Sequence, residues 1–396
     1  MNRQLLRTGI VVAITVVALA GAAAEKMDGT PRTNDGPGLS LRVNDEAAPA
    51  GSIVQIKVDV TEPKPISTGR GKIKIKHLTP VQGIVLMNEG QDTYGLAIID
   101  GEDLSFVITS PSSLFGTPAD YPILGIAGTV ASASAGATFP LTLDPAGLAF
   151  RDPSGTVYPT EIKNGTLTID ANAVAIGDVS PGSAIVPAGG VVRISGVNFT
   201  PNTRLQLSET SVAQQRFINS QRIDVVLGQT TNMHGLRIRA RNDEKNNKSE
   251  SEYFSYERTT AIGSSNDPML SKVVPLFAPT AYTSATIDLP RQSSGGGRRR
   301  AVRTLAASTT TAGLALQNLE TSNASVTIEL LDRSGNPYAI NTVSVGPDRF
   351  LVREISELFG VVAPPSGVRL RSNVPIHILG LLADSSTGTA AAVPPR

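Results

Sequence analysis

Residues 53–60 read IVQIKVDV, and the reading of this stretch decides the fold class. Val54, Ile56, Val58 and Val60 alternate with Ile53, Gln55, Lys57 and Asp59. Successive side chains of a β-strand point to opposite faces, so this period of two assigns the valine and isoleucine set to a buried face. Helical periodicity is nearly missing elsewhere. Turn clusters such as DPSG at 152–155, KNG at 163–165 and DRSGNP at 332–337 separate further apolar runs, at the spacing of strands stacked in sandwiches. One short helix is predicted in REISELFG, 353–360, where Ile355, Leu358 and Phe359 share a face and Gly360 ends it, so that it plugs one end of a sandwich.

Composition narrows the chemistry. The chain of 396 residues carries 35 basic and 34 acidic groups, a net charge of +1, which gives no global field to attract nucleic acid. Aromatic residues make up 4% and tryptophan is absent, so the cores must be built from Val, Ile, Leu and Ala. Without cysteine there are no disulfides, thiolate metal sites or cysteine nucleophiles. At the N-terminus Arg3 and Arg7 precede TGIVVAITVVALAGAAA, and Ala22 and Ala24 fit a cleavage site before Glu25. Residues 1–24 are therefore read as a secretory signal, with an uncleaved membrane anchor as the other reading. The expected product is exported to the extracellular space, the cell surface or the periplasm, with no integral membrane segment after cleavage.

Punctuation in the chain suggests three units. After a flexible lead at 25–38, a first unit runs over 39–170 and closes on GTLTID; a second occupies 174–258; a third spans 268–384, carries the flexible RQSSGGGRRR loop at 291–300, and is followed by a tail at 385–396. The second opens with DVSPGSAIVPAGGVVRISGVNFT, 178–200, in which Val192 and Ile194 point one way, Gly196 permits a bend and Phe199 anchors it. This pattern of a Ser-Pro turn, a Gly-rich hairpin and Gly196, Asn198 and Phe199 resembles the start of an IPT/TIG domain, which implies an immunoglobulin-like interaction or spacer module.

Through AAPAGSIVQIKVDV (47–60), LSFVITS (104–110), ILGIAGTV (123–130) and DPSGTVYPTEIKNGTLTID (152–170), the first unit resembles cohesin-like and carbohydrate-binding sandwiches. A cohesin implies a calcium-loaded, dockerin-like protein partner. The third unit, with GLALQNL, SVTIELLDRSG, ISELFG and PIHILGLLAD, resembles an uncharacterised β-sandwich of secreted bacterial proteins. The expected fold class is all-β: three tandem immunoglobulin-like β-sandwiches after a signal peptide.

Catalytic signals are weak. His77, His234 and His377 fall in three different units, so no local histidine cluster forms, and no cofactor or metal site is expected. His377 is read as a half-exposed strand residue and His77 as a surface residue at a strand end. Asp100, Glu102 and Asp103 could form an acid and base pair or a calcium set, the basis of a hydrolase reading, but D-G favours a solvated hairpin turn. In GLRIRAR, 235–241, Arg237, Arg239 and Arg241 form a ladder on one strand face, fit either to grip an anionic polymer or to pair with the acids of NDEKNNKSESE on a solvated edge. Sugar platforms need aromatic faces, and Tyr94, Tyr121 and Tyr158 are the first unit's candidates. The sequence thus points to a non-enzymatic binding or scaffold protein that engages protein or polysaccharide at the cell surface, with carbohydrate binding as the alternative.

Overall fold

Alternation carries through into layers: the computed structural model is all-β, with the helix Ile355–Phe359 and two short 3-10 turns as its described helical pieces. It describes residues 38–61, 64–85, 94–114, 121–244, 247–256, 258, 260–263, 265–267, 270–277, 280–289, 310–360, 365–384 and 389–396. The signal segment at 1–24 and the loop at 291–300 lie outside the described residues.

The first sandwich packs two sheets over a core that includes Leu41, Ile56, Val58, Ile73, Phe106 and Phe150, all buried. One sheet has the order Thr160–Lys163, Leu39–Val43, Ile53–Val60, Tyr121–Val130, Leu78–Val85. Its partner runs Glu46–Ala48, Gly165–Ile169, Thr138–Leu143, Ile66–Lys74, Asp103–Leu114, Tyr94–Asp100. Both ends of this unit cross between sheets. The chain passes from Leu39–Val43 to Glu46–Ala48 through Asn44 and Asp45, and from Thr160–Lys163 to Gly165–Ile169 through Asn164. KNG at 163–165 is therefore a sheet switch rather than a free turn. A Cβ on Gly165 would sit 2.1 Å from the Asn44 carbonyl oxygen, so the two crossings can touch only because that residue is glycine.

In the middle sandwich a four-stranded sheet, Ala175–Ser180, Val191–Val197, Arg222–Leu227, Val212–Asn219, faces a three-stranded one, Arg204–Leu207, Arg237–Glu244, Asn247–Phe254. Val192, Ile194 and Phe199 are buried in its core. The Gly-x-Asn-Phe stretch has a specific geometry. Asn198 adopts a left-handed backbone with φ of 58°, and its amide donates to the carbonyls of Ala171 at 2.8 Å and Ala173 at 2.9 Å, tying the turn to the segment that enters the sandwich. Gly196 lies where a Cβ would meet the Ala175 carbonyl oxygen at 2.2 Å and the Phe199 ring at 2.7 Å. Close backbone approach, more than bending, explains the glycine.

The C-terminal strands are organised by one 18-residue strand, Gly367–Asp384. Its first half pairs with Tyr282–Asp288 and Ala324–Leu331, its second with Thr310–Asn318 and Thr389–Val393. The halves meet around the exposed Pro375, which has no N–H to contribute to a ladder. Residues read as a tail thus include a paired strand, in which the small alanines at 390–392 lie opposite Ala383, Leu382 and Leu381, and Val393 lies opposite Gly380. The helix Ile355–Phe359 carries a reciprocal capping box between Glu354 and Glu357 and buries Ile355.

Connections between these bodies are structured. Thr260–Ala261 joins the C-terminal sheet beside Arg349–Glu354, ahead of the expected start near 268. Val273–Leu276 then returns to the first sandwich and extends its sheet by pairing with Tyr94–Asp100. Leu96, Ile98, Val273, Val352, Leu379 and Leu381 share one buried cluster across that contact. Gly196→Ala should destabilise the chain by about 1–3 kcal/mol through overpacking against fixed backbone; urea unfolding measures it, and an unchanged midpoint would contradict the contact.

Candidate functional site

The strand Ile53–Val60 behaves unexpectedly on its polar side. Val54, Ile56, Val58 and Val60 face the first sandwich's core as the alternation requires, yet Gln55, Lys57 and Asp59 are also buried, at 1%, 2% and 5% exposure. The middle sandwich covers Gln55 and Lys57, and Arg42 of the first sandwich lies over Asp59. Gly125 and Ala127 stand beside Lys57 and Gln55 on the neighbouring strand, and these small residues leave room for the approach. Burial of polar groups requires partners, and each has one.

Gln55 Nε2 donates to the Phe254 carbonyl at 3.2 Å, and the Phe254 N–H donates to Gln55 Oε1 at 2.8 Å. Phe254 ends an edge strand, so the side-chain amide occupies the position of a missing ladder neighbour. The Lys57 ammonium donates to the Glu252 carbonyl at 2.8 Å and to the Glu46 carboxylate at 3.2 Å, and it lies 5.9 Å from the Phe254 ring centroid. Arg42 holds Asp59 at 2.9 Å.

Electrostatics follow from this burial. Loss of water pushes the Glu46 carboxyl up to about 7, against the pull of Lys57. Burial also raises Asp59, against its hydrogen bond from Arg42. Burial opposes ionisation of Glu252 as well, but the hydrogen bond from Arg237 and the charges of Lys57, Arg237 and Arg239 together outweigh it and hold that carboxyl below its ordinary range.

The arginine ladder belongs to this network. Arg237–Glu244 is the central strand of its sheet, not a solvated edge. Arg237 is hydrogen-bonded to Glu252, Arg239 lies 3.7 Å from Glu250 and 3.8 Å from Glu252, and Arg241 pairs with Asp243 at 2.6 Å. The acids come largely from the NKSESEYF strand placed alongside by the hairpin, so each arginine has a carboxylate. Exposure of their side chains climbs from 29% to 40% to 61% away from the junction.

The tyrosines do not converge through one sheet. Tyr94 pairs with Thr109 in one sheet of the first sandwich and Tyr121 with Val60 in the other; their side chains lie outside the described residues. Tyr158 is half-buried, donates from its hydroxyl to the Pro65 carbonyl at 2.9 Å, and carries the Lys64 ammonium 5.7 Å from its ring centroid. The acidic trio occupies a hairpin turn with Gly101 at φ 63°: Asp103 pairs with Lys72, and Asp100 lies 3.9 Å from Lys272.

Two histidine expectations are corrected. His377 is buried, at 8% exposure, and it interacts with His234 although they lie far apart in sequence. Burial, with the nearby His377, pushes His234 down to about 4. His77 sits at a turn with φ 63° and stacks on Phe139 at 3.6 Å, so it is half-buried rather than a surface residue. Among the described residues no three His, Asp or Glu side chains gather as a metal site, and no helix is long and apolar enough to cross a membrane.

No family model and no curated protein matches the chain. Solved structures similar to it include a non-cellulosomal cohesin from Archaeoglobus fulgidus, at 17% identity and a TM-score of 0.28, covering 34% of this chain and 91% of that one. Another is the third cohesin ScaC of Acetivibrio cellulolyticus in complex with the ScaB dockerin, at 17% identity and a TM-score of 0.30, covering 34% and 99%. A third is the seventh ScaB type I cohesin of Pseudobacteroides cellulosolvens, at 16% identity and a TM-score of 0.29, covering 34% and 94%.

Gln55→Leu should leave the Phe254 N–H and carbonyl buried without partners, at a cost of about 2–4 kcal/mol seen as a lower unfolding temperature by calorimetry. The Glu46 carboxyl titrates higher folded than its ordinary value of 4.5, so its contribution to stability is complete below about pH 4.5 and is lost as pH rises through about 7. Chemical denaturation across that window should show a loss of up to about 3 kcal/mol, flattened in Glu46→Gln; an equally steep variant curve would place the dependence on another group.

Proposed function

We propose that this chain is an exported, non-enzymatic binding or scaffold protein of three tandem sandwich units, with the middle one an IPT/TIG-like module. Its partner is a protein or a polysaccharide at the cell surface, and the cohesin-like resemblance makes a dockerin-like protein one candidate. The observation that carries this reading is the junction: Gln55 and Lys57 are buried and matched by the backbone of Phe254 and Glu252 in the middle sandwich, so the first and middle sandwiches hold one fixed orientation. A rigid array of sandwiches presents end loops and outer sheet faces at set positions, which is what a scaffold requires. Shallow concavities at the ends of the middle sandwich, one lined by Ser208, Thr231 and Asn232 and another by Asn202, Arg204 and Gln215, add polar surfaces for such contacts.

Pull-down with the secreted chain against cell-surface material, together with a glycan array, tests the reading. A protein ligand captured with no turnover supports it. Saturable glycan binding lost in Tyr94→Ala, Tyr121→Ala or Tyr158→Ala selects the carbohydrate-binding alternative, and hydrolysis abolished by Asp103→Asn overturns both.

A further inference from the structure

The outer face of the four-stranded sheet in the middle sandwich carries a second set of arginines. Cross-strand register places Ser180, Arg193, Asp224 and Arg216 in one row, with Ser195 and Arg222 in the next. Three guanidinium groups thus surround a single carboxylate. Arg222 grips Asp224 in a fork, Nε to Oδ1 and a terminal nitrogen to Oδ2, both at 2.7 Å. Arg216 is steadied by two hydrogen bonds to Gln214 Oε1, at 3.0 and 2.8 Å. The Arg193 side chain is exposed and, among the described residues, makes no hydrogen bond or ion pair, its charge acting on Asp224 from across the strands. Asp178, on the adjoining strand, faces Arg258 at 4.0 Å.

This face differs from the ladder of Arg237, Arg239 and Arg241 on the opposite sheet, in which each of the three guanidinium groups has a carboxylate within 4 Å. Here two positive charges stay uncompensated. A guanidinium has five N–H donors, so Arg216 and Arg222, each with two engaged, keep three for a ligand in an orientation already fixed. Arg193 and Arg216 stand two strands apart, about 10 Å. Val191, 52% exposed, and the half-buried Val226 form an apolar row beside them.

We propose that this face binds a carboxylated or sulfated polysaccharide, Arg193, Arg216 and Arg222 forking its acidic groups while Val191 and Val226 receive the ring C–H faces. The inference rests on the binding-module reading above and names the ligand class for it. Carboxylate and sulfate both match the planar fork. Single-stranded nucleic acid is disfavoured because recognition of it uses aromatic platforms, and this face has none: Phe217, the aromatic of the edge strand Val212–Asn219, alternates to the opposite side from Arg216.

Binding of the full chain to immobilised polygalacturonate and to heparin, against an oligo-dT control, tests this. The parent chain should bind both polysaccharides, with affinity falling as salt rises. Arg193→Ala/Arg216→Ala should bind at least tenfold more weakly, and Arg241→Ala, outside the face, should bind as the parent does. Equal binding by the double variant, no binding by the parent, or tighter binding to oligo-dT would each overturn the proposal. Capture of cell-surface material by a parent chain that ignores both polyanions would sink this inference and leave the binding-module reading standing.

Discussion

The rest of the arrangement depends on the two-way hydrogen bond between Gln55 and the Phe254 backbone, with Lys57 beside it. A strand that buries both faces must match every polar group on the second one, since an unmatched amide or ammonium in a dry interface costs several kcal/mol. Gln55 meets that demand by acting as a fragment of strand, and Lys57 by reaching one carbonyl and one carboxylate. Sliding either sandwich along the strand by one repeat of this face, two residues, would bring Ile53 or Lys57 to the Phe254 backbone in place of Gln55 and leave its N–H and carbonyl mismatched. Buried ion pairs of this kind contribute little net stability and much selectivity among orientations. The junction is therefore a device for position, and the hydrophobic cores on either side supply the stability.

A second constraint reinforces it. After the middle sandwich the chain first pairs Thr260–Ala261 with the C-terminal sheet, then Val273–Leu276 completes the edge of the first sandwich's sheet before the chain continues into the C-terminal strands. Exposed sheet edges invite pairing with other chains, so using the connector as the edge strand removes that liability and shortens the connection's free length at once. Glu357 does similar duty from the helix: it caps Glu354 and receives hydrogen bonds from Ser265 in the connector. Connectors that are themselves hydrogen-bonded turn a string of sandwiches into one body.

Local chemistry made the strands legible. Alternation in IVQIKVDV identified the core face of its strand, Val192, Ile194 and Phe199 announced their own burial, and REISELFG contained both its apolar face and its stop. Polar faces were not legible, because a period of two says that Gln55 and Lys57 point away from one core and nothing about what they meet. The partner of Gln55 lies 199 residues on, and that of the connector strand is the Tyr94–Asp100 edge. His234 and His377 escaped for the same reason, each solitary in its own stretch. The arginine ladder was visible as a ladder, and the acids that neutralise it were visible nearby, but pairing Arg237 and Arg239 with Glu252 and Glu250 needed the hairpin register, while Arg241 found Asp243 on its own strand. Arg193, Arg216 and Arg222 gave no signal because their adjacency arises only when three separate strands are laid side by side.

Net charge of +1 conceals this separation of faces, and its origin is physical. Where the three-stranded sheet approaches the first sandwich, water is excluded, and any arginine near that boundary must arrive already paired. Arg237, nearest the junction, is accordingly hydrogen-bonded to Glu252, while Arg241, farther out, keeps a more solvated partner. On the opposite sheet Arg193 and Arg216 stand exposed, away from the Ala175 end of the strand Ala175–Ser180, which packs on the first sandwich, and at physiological ionic strength charges beyond about 8 Å are largely screened, so an excess of guanidinium costs little there. Docking one face of a sandwich thus decides where uncompensated cations can be kept, and it keeps them on the face that a ligand can still reach.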